Sequence, residues 1–598
     1  MSTAKISDVA IISTIALLAA TLACIDMPGV WDSTQSGKFI VFSYVSTILF
    51  LLISIRGLYT HRLVVRLNKV DVLLLLFLLA TLLNRSIKGY GYSTNFYELP
   101  GLILVYIAVR SMKATAWLLL FLSIMAGGVI QAVYGLLQFY HYMPSHVSVF
   151  GICGGFFNPG PYAGYLASAF PVLLGYYLRE KKFVLLIAMA VVLLALSAAL
   201  SRAAWLAVLI SSIFLLSDKY NIRALFKRVF DSSLKAGLGL TVALMLLIAA
   251  GYFLYSFKQG SADGRLLVWK VTLRMFADNP VSGVGPDRFV ARYMDYQQDY
   301  FHRSGMSGEA LHADNIYYAF NDPLQFVAEN GLIGLSLLTA IVWSMVKIRT
   351  SLSPYFVIAG AGLLSVAVFS LFSYPMDILP IKLNFVIFLS VLSSGCAGYR
   401  AVGPGVRPGP TVAGMFRIGT IVVLIVAAFR ISGGIRRLYD GYSDWQTAMF
   451  LYQEKFYGES VGFYKKAYPV LREDGDFLTH YGKALSMGGA DTEALDKLHL
   501  ARLHLNTTII QTSMGDSYKS LKMYDSAEIA YLNASYMLPD RIYPKYLLAK
   551  LYAETGQKEK AVTAAREILR HPSRIPSDAT DEIDQEMLQL LNQYRDPK

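Results

Sequence analysis

Long apolar runs separated by short polar loops fill roughly the first 430 residues, and a soluble helical pattern fills the rest. Runs of spanning length, or slightly short of it, begin near Val9, Phe39, Val70, Leu99, Ala114, Pro159, Phe183, Ala203, Ala236, Leu324, Pro354, Leu379 and Phe416. At roughly 20 residues per crossing they predict about 12–13 membrane helices. The short runs at Leu99 and Ala203 are expected to be tilted, broken or extended by their flanks. One long polar interval, Lys258–Asp322, lies between two of the runs. A stretch so rich in Arg, Asp, His and Tyr cannot cross lipid, where each unsatisfied polar group costs several kcal/mol. It is expected to form the roof of a site outside the bilayer, held at both ends by membrane helices.

Charge fixes the expected orientation. Lys5; Arg56, Arg62, Arg66 and Lys69; Arg110 and Lys113; and Arg179, Lys181 and Lys182 fall in alternate loops. The same alternation continues through Lys219, Arg223, Lys227, Arg228 and Lys235, through Lys347 and Arg349, and through Arg400, Arg407 and Arg417. By the positive-inside rule these loops and the N-terminus are cytoplasmic, and the 258–322 loop and everything after about Ser432 are outside. A formal charge of +13 could suggest nucleic acid, but its placement in short loops argues for a membrane and against a nucleic-acid partner. The chain is 55% hydrophobic with a mean hydropathy of +0.46, too apolar for one soluble domain. Cys24, Cys153 and Cys396 are scattered, so neither a disulfide framework nor a CxxC metal site is expected. No small-residue cleavage site follows Leu22, and the first apolar run reads as a retained anchor.

The segment Gly403–Pro410 (GPGVRPGP) reads as a linker before the last span. Beyond about Asp440 an internal repeat appears. Gly482, Leu485 and Ala494 are followed 33 residues later by Gly515, Tyr518 and Ala527, and 34 further on by Ala549, Tyr552 and Ala561. Pro539 and Pro572 fall near the ends of their units. Small–aromatic–small positions at this period resemble tetratricopeptide helix pairs, which stack into curved surfaces that bind peptides or proteins. A degenerate unit is expected near Trp445 and a capping helix over Asp581–Tyr594. The predicted fold class is all-α: a polytopic membrane bundle over 1–432 with its large loop at 258–322, then a helical-repeat domain over 440–598.

Several motifs could carry chemistry. Phe157–Tyr165 (FNPGPYAGY) breaks a helix where an outer loop enters the sixth span, and free N–H groups there could hold an anion. Asn158 and Tyr162 are its candidate substrate-binding residues. Arg202, in Ser201-Arg202-Ala203-Ala204-Trp205, is expected at the outer face, where an arginine needs water or an anionic partner. In the loop, Arg265 and Trp269 are four apart and share a helix face. Lys270 and Arg274 fit either a solvated basic face or substrate contact. His312, Asp314 and Asp322 can move a proton. Asn321, Gln325 and Glu329 lie where the chain re-enters the membrane, within Asn321-Asp322-Pro323-Leu324-Gln325 and Glu329-Asn330-Gly331-Leu332-Ile333-Gly334. No cluster has the spacing of a metal site, so neither metal nor cofactor is expected.

FNPGPYAGYLASAFP, SRAAWLAVL, GRLLVWKVTLRMFADNPVSGVGPDRF and NDPLQFVAENGLIG together resemble the signature blocks of the O-antigen ligase superfamily, in the family's order over roughly Phe150–Ala340. That group contains lipid A–core ligases, protein O-oligosaccharyltransferases and some O-antigen polymerases. The resemblance implies a glycosyltransferase of the bacterial inner membrane that uses an undecaprenyl-diphosphate-linked glycan on the periplasmic side. It associates Arg202 and Arg265 with the lipid diphosphate and catalysis. The family typically carries His-Asn before the Leu-Gln of its last block, whereas this chain has Phe320-Asn321. Either His312, eight residues earlier, takes that role through a different loop path, or another group does.

Opening a sugar–phosphate bond builds charge on phosphate oxygens, which arginine forks pair two bonds at a time. The acceptor hydroxyl needs a base near neutrality, for which His312 suits, with Asp314 or Asp322 as substitutes. A repeat array beside the site favours a protein acceptor over lipid A–core. Two alternatives remain, an O-antigen polymerase and a non-catalytic assembly factor with a partner-binding repeat domain.

Overall fold

The computed structural model describes residues 3–60, 67–88, 94–221, 258–304, 308–348, 353–396, 410–570 and 577–594, with isolated positions between 237 and 256. Among the described residues eight continuous helices precede the roof: α1 (Thr3–Thr21), α2 (Ser33–Thr60), α3 (Lys69–Lys88), α4 (Thr94–Ser111), α5 (Ala114–Phe139), α6 (Pro159–Glu180), α7 (Phe183–Ala198) and α8 (Arg202–Tyr220). The roof contributes α9 (Gln259–Asp278) and α10 (Phe289–Ser304), and α11 (Asp322–Val346), α12 (Pro354–Ser370), α13 (Leu379–Ser393) and α14 (Pro410–Gln453) follow. No β-strand occurs among the described residues. Most of the span expected from Ala236, linker residues 403–409, Pro572 and the bases Arg62, Arg66, Arg223, Lys227, Arg228, Lys235, Arg349, Arg400 and Arg407 lie outside the described residues.

Six of these helices (α1, α2, α3, α5, α8 and α11) are long and apolar enough to cross a membrane, and α7, α12 and α13 are shorter apolar helices. The chain is therefore an all-helical, multi-pass membrane protein. Buried α6 sits at its centre, because small residues let neighbours approach. A Cβ on Gly164 would meet Phe369 of α12 at 2.3 Å, and one on Gly175 would meet Ile358 at 2.6 Å. Polar side chains inside are answered from across the helices: Ser365 donates to the Ala167 carbonyl at 2.7 Å and Asn384 to Ser168 at 2.9 Å.

The roof is locked to the membrane helices by a backbone joint. Gly331 interrupts α11 at φ 63° and ψ −159°, which frees backbone groups that lipid could not satisfy. The Pro280–Gly285 turn fills the break: Leu332 N–H donates to Pro280 O at 2.8 Å, Val284 N–H to Ala328 O and Gly285 N–H to Glu329 O, both at 3.0 Å. Glycine is required on both sides. A Cβ on Gly283 would lie 2.2 Å from the Glu329 carbonyl carbon, and one on Gly331 would lie 2.3 Å from the Val281 oxygen. Gly331→Ala therefore carries about 1–3 kcal/mol of backbone strain before the clash is counted. It is expected to lower the unfolding temperature and to speed amide exchange at 280–285 and 329–333. Unchanged exchange there would show that the joint does not hold the roof to α11.

Helix α14 is 44 residues long, about 66 Å at 1.5 Å per residue, and continues from the membrane helices into the C-terminal region without a break. There it pairs with α15 (Tyr457–Leu471), and α16 (Gly475–Met487) with α17 (Asp491–His504), α18 (Thr508–Ser520) with α19 (Tyr524–Met537), and α20 (Ile542–Glu554) with α21 (Lys558–Arg570). The small positions of the sequence repeat lie inside these pairs: Ala494, Ala527, Ala549 and Ala561 are fully buried. A Cβ on Gly515 would meet the Tyr531 ring at 2.3 Å. The last helix, α22 (Asp578–Gln593), begins at a Ser577–Thr580 capping box and covers α21.

The repeats pack directly on the roof. Gln297 donates to Met537 O at 2.8 Å, Gln298 to Asn533 at 2.8 Å, and Asn506 to Asp295 at 2.8 Å. Asn315 and Thr508 exchange bonds of 3.0 and 3.1 Å, and Arg288 donates to the Leu503 carbonyl.

Candidate functional site

Three cations converge where α8, the segment before α9, and α9 meet. Arg202 opens α8, and its guanidinium donates to Tyr255 O at 3.5 Å and Lys258 O at 3.4 Å. Lys258 Nζ donates to Leu200 O at 3.2 Å. Nearly two turns into α9, Arg265 rests on the Phe320 ring, 5.5 Å from its centroid. Burial pushes the Arg265 pKa down, and the Arg202 charge adds to the effect. Lys258 is lowered by burial too, with both arginines contributing. Like charges this close in a partly dry setting hold one another at a cost that an anion would relieve.

An aromatic wall stands behind them. Phe320 occupies the left-handed region at φ 52°, strained for a bulky side chain, and its ring meets Tyr374 edge-on at 5.6 Å. Tyr374 stacks on Tyr318 at 4.0 Å with planes 4° apart. Burial pushes the Tyr374 phenol up, with the Asp377 carboxylate adding to the shift and Arg265 opposing it, so this ring stands between an acid and a cation. His312 lies over the first turn of α9, next to Gly264 and 3.9 Å from Asp263. Asp322, first residue of α11, accepts from Met376 N–H at 3.0 Å and thereby ties α11 to the Tyr374–Asp377 turn.

The other sequence candidates take up positioning tasks. Asn321 caps α11 by accepting from Leu324 N–H at 3.0 Å, and Gln325 accepts from Ala319 N–H at 3.0 Å. Trp269 donates to Ala319 O at 3.0 Å, so three side chains fix the 319–325 turn that presents Phe320. Glu329 accepts from Phe289 N–H at 3.0 Å at the start of α10. Arg274 pairs with Asp299 at 3.9 Å between the two roof helices, and Asp314 faces Arg541 of the repeats at 3.9 Å. Asn158 caps α6 by accepting from Gly160 N–H at 2.8 Å. Tyr162 is fully buried and donates to Gln131 O at 3.2 Å. Thus Arg202, Arg265, His312, Asn321 and Asp322 gather near the Phe320–Tyr374 wall, whereas Arg274, Asp314, Asn158 and Tyr162 are engaged elsewhere.

Sequence reasoning did not single out Lys258, Tyr318, Tyr374 or Asp377 as site residues. Ser373-Tyr374-Pro375-Met376-Asp377 carries a weak signal, a tyrosine and a carboxylate in the polar break between two apolar runs. Next to this wall a cavity of about 950 Å³ lies between α2, α4, the roof and the repeats, and Tyr318, Gln325, Glu329 and Asp377 line it on the roof side. Among the described residues no group of three His, Cys, Asp or Glu is placed to hold a metal ion.

Fold and site together define a multi-pass membrane protein with a cluster of three cations at the base of a helical roof. Residues 187–339 match the family model described as O-Antigen ligase, a likeness that supports glycan transfer of the ligase or polymerase type. The matched stretch holds Arg202, Lys258, Arg265, His312 and the 319–329 turn, and ends before Tyr374 and Asp377. A search of curated proteins finds no match. Among solved structures, the crystal structure of yeast Tom70 aligns with 87% of this chain and 96% of that one at 9% identity, with a TM-score of 0.23, too low to carry an argument.

Proposed function

We propose that the protein transfers an oligosaccharide en bloc from an undecaprenyl-diphosphate carrier to an acceptor hydroxyl on the periplasmic side of the bacterial inner membrane. The convergence of Arg202, Lys258 and Arg265 carries this reading. As the sugar C1–O bond opens, the electron pair leaves with the diphosphate, and three fixed positive charges favour that leaving group over the intact donor. The acceptor oxygen forms the new bond to C1, and its proton passes to His312, which Asp263 helps to orient. Asp322 is the nearby carboxylate that could replace it in this role. With cations already at the leaving group, the scheme needs neither metal nor cofactor. Phe320 replaces a polar residue with a ring that carries Arg265, so the base must come from elsewhere on the roof.

The N-terminus is cytoplasmic in this proposal, and the roof and repeats are periplasmic. The acceptor is a protein in preference to lipid A–core, because the repeats pack on the roof beside the site. Reconstitution of the full chain with lipid-linked glycan plus one protein and one lipid A–core acceptor tests this. Glycan on protein hydroxyls is expected. Growth of glycan on the lipid carrier alone would make the protein a polymerase, and no transfer to any acceptor would favour an assembly factor.

A further inference from the structure

The cavity walled by the repeats carries the wrong charge for a phosphorylated donor. Among its lining residues eight are Asp or Glu and three are Arg. Asp32, Asp474 and Asp476 gather on one side. Asp32 accepts from Thr34 and Gln35, Asp474 caps α16 by accepting from Phe477 N–H at 2.9 Å, and Asp476 accepts from the Tyr317 hydroxyl at 3.2 Å. Among the described residues none of these three has a cation within ion-pair distance, and the buried Lys38 acts on Asp32 only from farther off. Burial pushes the Asp476 pKa up to about 7, and the charges on Asp474 and Asp32 add to the shift, so the trio repels itself. A cation among them would relieve that repulsion.

Aromatic faces complete the lining. Trp31 stacks on Trp445 at 5.0 Å, and Tyr442 stacks on Trp445 at 6.2 Å; all three line the cavity. The Trp445 indole N–H, on a side chain only 2% exposed, has no acceptor. Indole faces beside carboxylates suit a lysine or arginine side chain. A buried indole donor asks for a carbonyl. A polypeptide supplies both at once, whereas phosphorylated lipid A–core would set its own negative charge against the carboxylates.

We propose that this cavity binds a basic segment of the acceptor polypeptide, with a lysine or arginine among Asp32, Asp474 and Asp476 and a main-chain carbonyl on Trp445. The use of that segment as an acceptor rests on the transferase reading; its binding does not. Tyr317 and Tyr318 line the same cavity, and Tyr318 stacks on Tyr374, so a bound segment lies one tyrosine pair away from Arg265.

Anisotropy of a labelled serine-containing peptide with two lysines, titrated with full-length protein in nanodiscs, tests the assignment. Saturable binding is expected, weakened about ten-fold or more in Asp474→Asn/Asp476→Asn, because loss of charged partners is costly while Asn preserves the helix cap. Trp445→Phe, which removes only the indole donor and part of the ring, should weaken it several-fold; it decides the matter if the double variant fails to fold. The same peptide with glutamates for lysines should not bind, and neither a neutral oligosaccharide nor phosphorylated core should compete. Binding unchanged within about two-fold in the variants, or equal binding of any of the three controls, overturns the assignment. Binding of lipid-linked diphosphate to the wild-type protein is measured alongside. Peptide binding without donor binding would sink the transferase reading alone, and donor binding without peptide binding would sink the cavity alone.

Discussion

Arg202→Ala and Arg265→Ala are each expected to reduce glycan transfer by about 10²–10³-fold or more, at wild-type protein levels in the membrane. Under the proposed mechanism each removes a permanently charged donor that would face the leaving diphosphate. The partly buried setting of Arg265 raises the value of that charge over its value in water. Lysine at either position keeps a charge and loses the planar fork, so Arg→Lys should recover only part of the rate. The readout is transfer from lipid-linked glycan by isolated membranes, with each variant's amount checked by blotting. Because Arg265 also rests on Phe320, thermal stability must be followed for this variant. Two variants that both transfer normally would end the assignment.

Lys382→Ala should be the most damaging single change away from that cluster. Lys382 Nζ on α13 reaches Glu98 on α4 at 2.5 Å, and each side chain is only 10% exposed. The pair ties two membrane helices and stands at the edge of the 950 Å³ cavity, which Glu98 lines. Removing the lysine leaves a carboxylate without its main counter-charge, a loss of about 3–5 kcal/mol. Replacing both partners with apolar residues, Glu98→Leu with Lys382→Met, removes the stranded charge and should recover most of that loss. Unfolding temperatures in detergent separate the cases. If the single and double variants are equally unstable, the cost lies in packing and not in charge.

Much of the fold was legible because apolar runs and helix-pair repeats are local patterns. The run starting at Ala114 became α5, Gly482 and Gly515 became close-contact points of helix pairs, and Ala549 is fully buried in the next, since a small residue every 33 or 34 positions has one packing use. The motifs were harder to read. Gly283-Val284-Gly285 and Asn330-Gly331 looked like separate loops in sequence, yet they are two halves of one backbone joint. Their hydrogen bonds run between segments about 45 residues apart, and nothing local announces such pairing. Asn158 and Tyr162 stood out through a Gly/Pro-rich block whose observed work is to start α6 and to let helices touch. Asp377 escaped notice because one carboxylate in a short loop has no pattern of its own.

By itself the sequence determined an all-helical chain with many membrane helices, a long polar roof and a repeated helical tail, because hydrophobicity and its period act residue by residue along the chain. Tertiary structure alone decided that Arg202, Lys258 and Arg265 come close enough to couple, that Phe320 and Tyr374 pack beside Arg265, and that the repeats close a cavity against the roof. The physical reason is distance along the chain. Charge–charge coupling, ring stacking and cavity shape depend on separation in space, and residues from 31 to 476 reach the same neighbourhood only after the helices have packed.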